Sequence, residues 1–67
     1  MKATDEQFTE AIRRLTSDMG YPPTVREIGE ALGIASPASV RWRLRRLRDA
    51  GLVAYEDHRA RTVRVVE

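Results

Sequence analysis

The sequence predicts a mostly α-helical fold with a small β-hairpin, and three observations carry that prediction. Apolar residues recur at helical spacing in three separate runs, and each run opens on a capping residue and closes near a glycine. After Gly51 the pattern changes to the alternation of short strands. At 67 residues the chain reads as one small domain over 1–67 with a single modest core.

Thr4-Asp5-Glu6-Gln7 fits a capping box, with Thr4 as the N-cap and Gln7 three residues on. Phe8, Ala11, Ile12, Leu15 and Met19 follow on one face and Gly20 suits the terminating turn, so the first helix is expected over about residues 5–19. Its outer face, with Glu10, Arg13, Arg14 and Asp18, reads as a solvated surface rather than a catalytic one. Tyr21-Pro22-Pro23 cannot continue a helix and forms an extended connector. Thr24-Val25-Arg26-Glu27 is a second capping box, and Val25, Ile28, Ala31 and Leu32 make a short apolar stripe ending at Gly33, a helix over about residues 25–32.

Gly33-Ile34-Ala35-Ser36 is a turn of the length and composition of a helix-turn-helix. Ser36 then caps a third helix, with Pro37 in the first position, where its missing N–H forfeits no bond. Val40, Leu44 and Leu47 give that helix a core-seeking face over about residues 37–50. The opposite face holds Ala38, Ser39, Trp42, Arg45 and Arg46, with Arg41 and Arg43 on its flanks. Leu52 to Glu56 and Arg61 to Val66 read as paired strands, with Val63 and Val65 on one face and a polar tip between the strands. Three helices and such a hairpin make a winged helix-turn-helix. The expected core is Phe8, Ile12, Leu15, Val25, Ile28, Leu32, Val40, Leu44, Leu47, Leu52, Val63 and Val65.

Charge points to the partner. Residues 1–33 carry four basic and six acidic side chains, whereas residues 34–67 carry eight arginines against four acids. Five of those arginines fall between positions 41 and 48, and a helix so charged is suited to a polyanion. There is no cysteine and one histidine, which leaves no ligand set for a structural metal. Neither a Gly-rich phosphate loop nor a nucleophile–base arrangement appears, so no enzymatic function and no cofactor are expected. No apolar run reaches the length of a membrane span, and Met1-Lys2-Ala3-Thr4 leads into polar sequence rather than a signal peptide. A cytoplasmic, nucleoid-associated protein is the expectation.

The run from Gly20 through Pro22-Pro23-Thr24-Val25-Arg26-Glu27-Ile28 to Gly33 resembles the DNA-binding domain of the LexA family of SOS-response repressors. The likeness continues through Ser36-Pro37-Ala38-Ser39-Val40, the Leu44 and Leu47 pair, Asp49-Ala50-Gly51-Leu52 and Arg59-Ala60-Arg61, and spans about residues 5–66. It implies a winged helix-turn-helix that binds operator DNA and represses transcription. Members of that family continue through a linker into a dimerising peptidase domain. The sequence stops where that linker would begin, so self-cleavage is not expected of it, and Ala50-Gly51 reads as a helix end rather than a cleavage site. Arg41, Trp42 and Arg43 stand where relatives commonly have acidic, histidine or small polar residues, so the operator sequence does not carry over.

By helical geometry and by this resemblance, Ala38, Ser39, Arg41, Trp42 and Arg45 are the expected base contacts in the major groove. Arg41 and then Arg45 suit bidentate bonds to guanine, and Ala38 suits a thymine methyl. Trp42 has three readings: packing on thymine methyls or sugars, covering an apolar edge of the domain, or anchoring a protein partner. Thr24, Arg26, Ser36, Arg43 and Arg46 are the expected phosphate contacts, with His58, Arg59 and Arg61 of the wing on the backbone or minor groove. Arg48 is expected in solvent or beside an acid, and Arg64 on the outer face of the hairpin. Double-stranded DNA is thus the expected partner, bound by a chain that is monomeric in solution and pairs weakly as a homodimer on DNA. An acidic protein gripped by Trp42 and the arginines, or non-specific architectural DNA binding, is the alternative.

Overall fold

The computed structural model describes residues 3–67; Met1 and Lys2, read above as part of a polar start, lie outside the described residues. Three helices precede a two-stranded antiparallel hairpin: α1 (Asp5–Met19), α2 (Val25–Leu32), α3 (Pro37–Asp49), β1 (Val53–Ala54) and β2 (Arg64–Val65).

Each helix begins where a side chain replaces the missing backbone partner. Thr4 Oγ1 accepts from the Gln7 N–H at 3.1 Å while the Thr4 N–H donates to Gln7 Oε1 at 2.8 Å. Thr24 and Glu27 repeat this reciprocal pair at the same distances. Ser36 Oγ accepts from the Ser39 N–H at 3.4 Å and Pro37 opens α3. The helix ends are equally local. Gly51, with φ 79°, lets its N–H reach the Arg48 carbonyl and the Leu52 N–H reach the Leu47 carbonyl, both at 2.9 Å. That pair of bonds reverses the chain out of α3 and into the wing.

Phe8, Ile12, Ile28, Val40, Leu44, Leu47, Val53 and Val63 form the buried core, with Leu15, Val25, Leu32 and Val65 packed around it half-buried. One expectation fails here. Leu52 is 40% exposed, and Val53 takes its place in the core at 2%. The register pairs Val53 with Val65 and Ala54 with Arg64, so Val53, Tyr55, Val63 and Val65 share the inner face. Leu52, Ala54, Arg64 and Val66 face outward, and the turn at Gly51 sets that parity.

The strands are also shorter than the expected 52–56 and 61–66. Thr62 interrupts the ladder: its hydroxyl accepts from the Glu56 N–H at 2.9 Å and lies within bonding distance of the Glu56 and Arg59 carbonyls. A side chain thus takes the place of the next backbone pair. His58 and Arg61 both have positive φ, 63° and 59°, in the loop that this bond closes.

Gly29, inside α2, is a packing position that helical periodicity does not mark. It is buried, and a Cβ there would stand 2.9 Å from the Ile34 carbonyl oxygen and 3.2 Å from Val40 Cγ2. The absent side chain therefore lets the turn and the start of α3 close onto α2. Gly29→Ala should push the two motif helices apart and lower the melting temperature, although alanine is the better helix former. An unchanged or higher melting temperature would show that the turn yields at no cost. Leu44→Ala removes a buried side chain from the middle of α3 and should cost about 2–5 kcal/mol, read by urea unfolding.

Candidate nucleic-acid interface

Burial of Val40, Leu44 and Leu47 fixes the rotation of α3 about its axis and so decides what it presents to solvent. Ala38, Ser39, Arg41, Trp42, Arg45 and Arg46 are all exposed. Trp42 is 59% exposed, and the Arg46 guanidinium lies over its ring, 5.0 Å from the centroid.

An open groove of about 830 Å³ runs between the start of α2, one flank of α3 and the wing. Thr24 and Arg26 line it from α2, Arg41, Arg45 and Arg48 from α3, and His58, Arg59 and Arg61 from the wing. Folding thus gathers seven of the expected contact residues, Arg48 aside, onto one concave surface. Ala38, Ser39, Trp42 and Arg46 are exposed on α3 outside that groove. Ser36 is exposed at the start of the helix, where its hydroxyl is engaged as the N-cap.

Arg43 is elsewhere. At about 100° per residue it sits some 160° around α3 from Arg41, on the flank that meets α1. Its guanidinium lies 4.8 Å from the centroid of buried Phe8 and 3.1 Å from Asp5, and its side chain is only 21% exposed. The structure therefore gives it a tie between the first and third helices, in place of a position in the groove. A contact across 38 residues leaves no trace in local spacing.

Most of the groove's cations are already matched. Arg26 lies 3.5 Å from Glu30, Arg48 3.1 Å from Asp57, Arg59 3.2 Å from Glu56, and Arg61 2.9 Å from Glu27. Arg48 also stacks on Tyr55, 4.3 Å from the ring centroid. Arg41 and Arg45, one helical turn apart, have no ion-pair partner among the described residues.

Arg61 is the most firmly held of the set. Its two terminal nitrogens donate to the two Glu27 oxygens at 2.9 and 3.2 Å, one also reaches the Pro22 carbonyl at 3.2 Å, and the guanidinium lies over Tyr21 at 4.7 Å. Glu27 is the same residue that completes the α2 capping box, so one carboxylate fixes both a helix start and the root of the wing. The sequence identified the capping role of Glu27 but not its second partner. The Thr24 N–H, and after it the Arg61 guanidinium, hold the Glu27 carboxyl below its ordinary pKa, and Glu27 in turn keeps Arg61 more firmly protonated.

A carboxyl whose folded pKa is lowered stabilises the fold above its unfolded value, here 4.5, and loses that contribution as pH falls through the folded value. Glu27→Gln should therefore melt below the parent at pH 7, with the gap closing under pH 4.5 as the parent's carboxyl takes up its proton. A gap that stays constant with pH would mean that charge has no part in the bond.

Among the described residues no group of His, Cys, Asp or Glu is placed to hold a metal ion, and no helix is long and apolar enough to cross a membrane. A family model described as the LexA DNA binding domain matches residues 3–62. The LexA repressor of Brevibacillus brevis is 38% identical over 66 residues, covering 98% of this chain and 32% of that protein. The LexA repressor of Mycobacteroides abscessus is 42% identical over 64 residues, covering 92% and 29% respectively. For that of Thermobifida fusca the figures are 43% over 54 residues, 81% and 21%. The chain thus spans at most about a third of the length of these curated relatives. A helix-turn-helix with a wing tied to α2 and a cationic groove between α2, α3 and the wing fits that match along nearly its whole length, and the chain belongs to the LexA DNA-binding-domain family.

Proposed function

We propose that this chain is a sequence-specific double-stranded-DNA-binding transcriptional regulator, acting as a repressor, that sets α3 in the major groove with the wing on the flanking backbone. The observation that carries the reading is the pair of unmatched arginines, Arg41 and Arg45, one turn apart on the exposed face of the second helix of the motif. A guanidinium presents parallel N–H donors that match O6 and N7 of guanine, and an arginine without an internal carboxylate has the least to surrender on entering the groove. The name shared by the relatives, LexA repressor, favours repression as the outcome.

Around those two residues the roles follow from chemistry. Ala38 and Trp42 offer apolar contact to thymine methyls, and Ser39 offers a hydroxyl to a base edge or a phosphate. The Thr24 hydroxyl accepts from the Glu27 N–H and can still donate its own proton to a phosphate at the start of α2. Ser36 and Arg46 hold the backbone beside α3, and Arg26, His58, Arg59 and Arg61 hold it along α2 and the wing. Two copies on half-sites about one helical turn apart would supply the affinity that one small interface lacks.

Selection of bound sites from random duplex DNA tests the reading. The expected result is an enriched inverted repeat with guanine in each half-site, bound at least ~10³-fold above a scrambled control. A flat selection would leave an architectural binder, and no binding at low salt would redirect attention to a protein docking on Trp42. Arg41→Ala should keep stability within about half a kcal/mol and cost ~1–3 kcal/mol of binding while relaxing one base position. If circular dichroism found that variant unfolded, the exposed placement of Arg41 would be wrong.

A further inference from the structure

We propose that Asp57 and Glu56 take the places of DNA phosphates in the free protein and thereby weaken its sequence-independent binding to duplex DNA. The inference rests on the DNA-binding reading above and assigns a role to two carboxylates that an anion-binding groove would be expected to exclude.

Both acids line the groove together with the arginines they neutralise. Asp57 Oδ1 is 3.1 Å from Arg48 Nη1, and Glu56 Oε1 is 3.2 Å from Arg59 Nη1. A carboxylate oxygen at such a distance sits where a phosphate oxygen would accept the same N–H. Both carboxylates are 64% exposed, so the pairs lie in high dielectric and an incoming anion can exchange with them. The guanidinium of Arg48 also lies over the Tyr55 ring, 4.3 Å from its centroid, a contact that does not involve Asp57. Loss of the carboxylate would free the charge and leave it in place. The wing turn is likewise independent of the Glu56 side chain, since Thr62 bonds the backbone of Glu56.

Sequence-independent affinity scales with the number of phosphates neutralised, because each releases condensed counterions. An arginine that already holds a carboxylate adds less to that number. The two acids therefore act on the cations at the edge of the groove and leave Arg41 and Arg45, which have no such partner, untouched.

Fluorescence anisotropy of a labelled random-sequence duplex, titrated with the whole chain at several salt concentrations, provides the test. Asp57→Asn should bind about 1.5- to fivefold tighter than the parent at low salt, the range an exposed pair can contribute. Its plot of log affinity against log salt should steepen by about 0.9, one further phosphate. Adding Glu56→Gln should extend both effects. Glu10→Gln, an exposed α1 carboxylate outside the groove, makes the same change in net charge and should leave the salt slope unchanged. Equal tightening by Glu10→Gln would overturn the inference in favour of net charge alone, and so would a folded Asp57→Asn that behaves like the parent. If the parent binds no duplex at all, the DNA-binding reading falls and this inference with it.

Discussion

Burial of Val40, Leu44 and Leu47 is the constraint on which the rest of the molecule depends. These three side chains lie on one stripe of α3, and covering them with Phe8, Ile12, Ile28, Val53 and Val63 leaves the helix a single allowed rotation. That rotation sends Arg41 and Arg45 toward the wing, Trp42 and Arg46 outward, and Arg43 back toward α1. A rotation by one residue, about 100°, would expose the stripe and bury arginines. The desolvation penalty for those cations makes that alternative inaccessible. The hydrophobic core therefore positions the charged face with no polar bond to α3 needed to do so.

The second determinant is the reuse of a few polar side chains for two tasks. Glu27 completes the cap of α2 and holds Arg61, so the start of one motif helix and the wing cannot move independently. Thr62 ends the hairpin ladder and closes the loop that carries His58 and Arg59. Arg43 stacks on Phe8 while pairing with Asp5. In so small a chain, long side chains reach across the whole domain, and several of them brace the groove that other arginines line.

Electrostatics in this domain is consequently a matter of which cations are matched. The second half of the sequence is rich in arginine, yet Arg43, Arg48, Arg59 and Arg61 each have a carboxylate within about 3 Å. Ion pairs this close to solvent contribute little to stability. They also leave less of the positive charge open, which separates Arg43 and Arg48 from Arg41, Arg45 and Arg46 on the same helix.

The sequence by itself determined the elements and their ends, because those depend on contacts within a few residues. The Thr4/Gln7 and Thr24/Glu27 boxes, the Ser36-Pro37 start and the glycines after each helix all act locally, and periodic burial named seven of the eight core residues. The exposed faces of α3 followed from the same periodicity. Tertiary structure decided what local spacing cannot encode. The parity of the wing, which buries Val53 rather than Leu52, comes from how the turn at Gly51 aims the chain. The closeness of Gly29 to Ile34 and Val40 comes from helix-on-helix approach. Above all, tertiary structure sorted the arginines. A charged side chain finds its partner by distance in space, and Asp5 and Glu27 are brought to Arg43 and Arg61 only when the core closes.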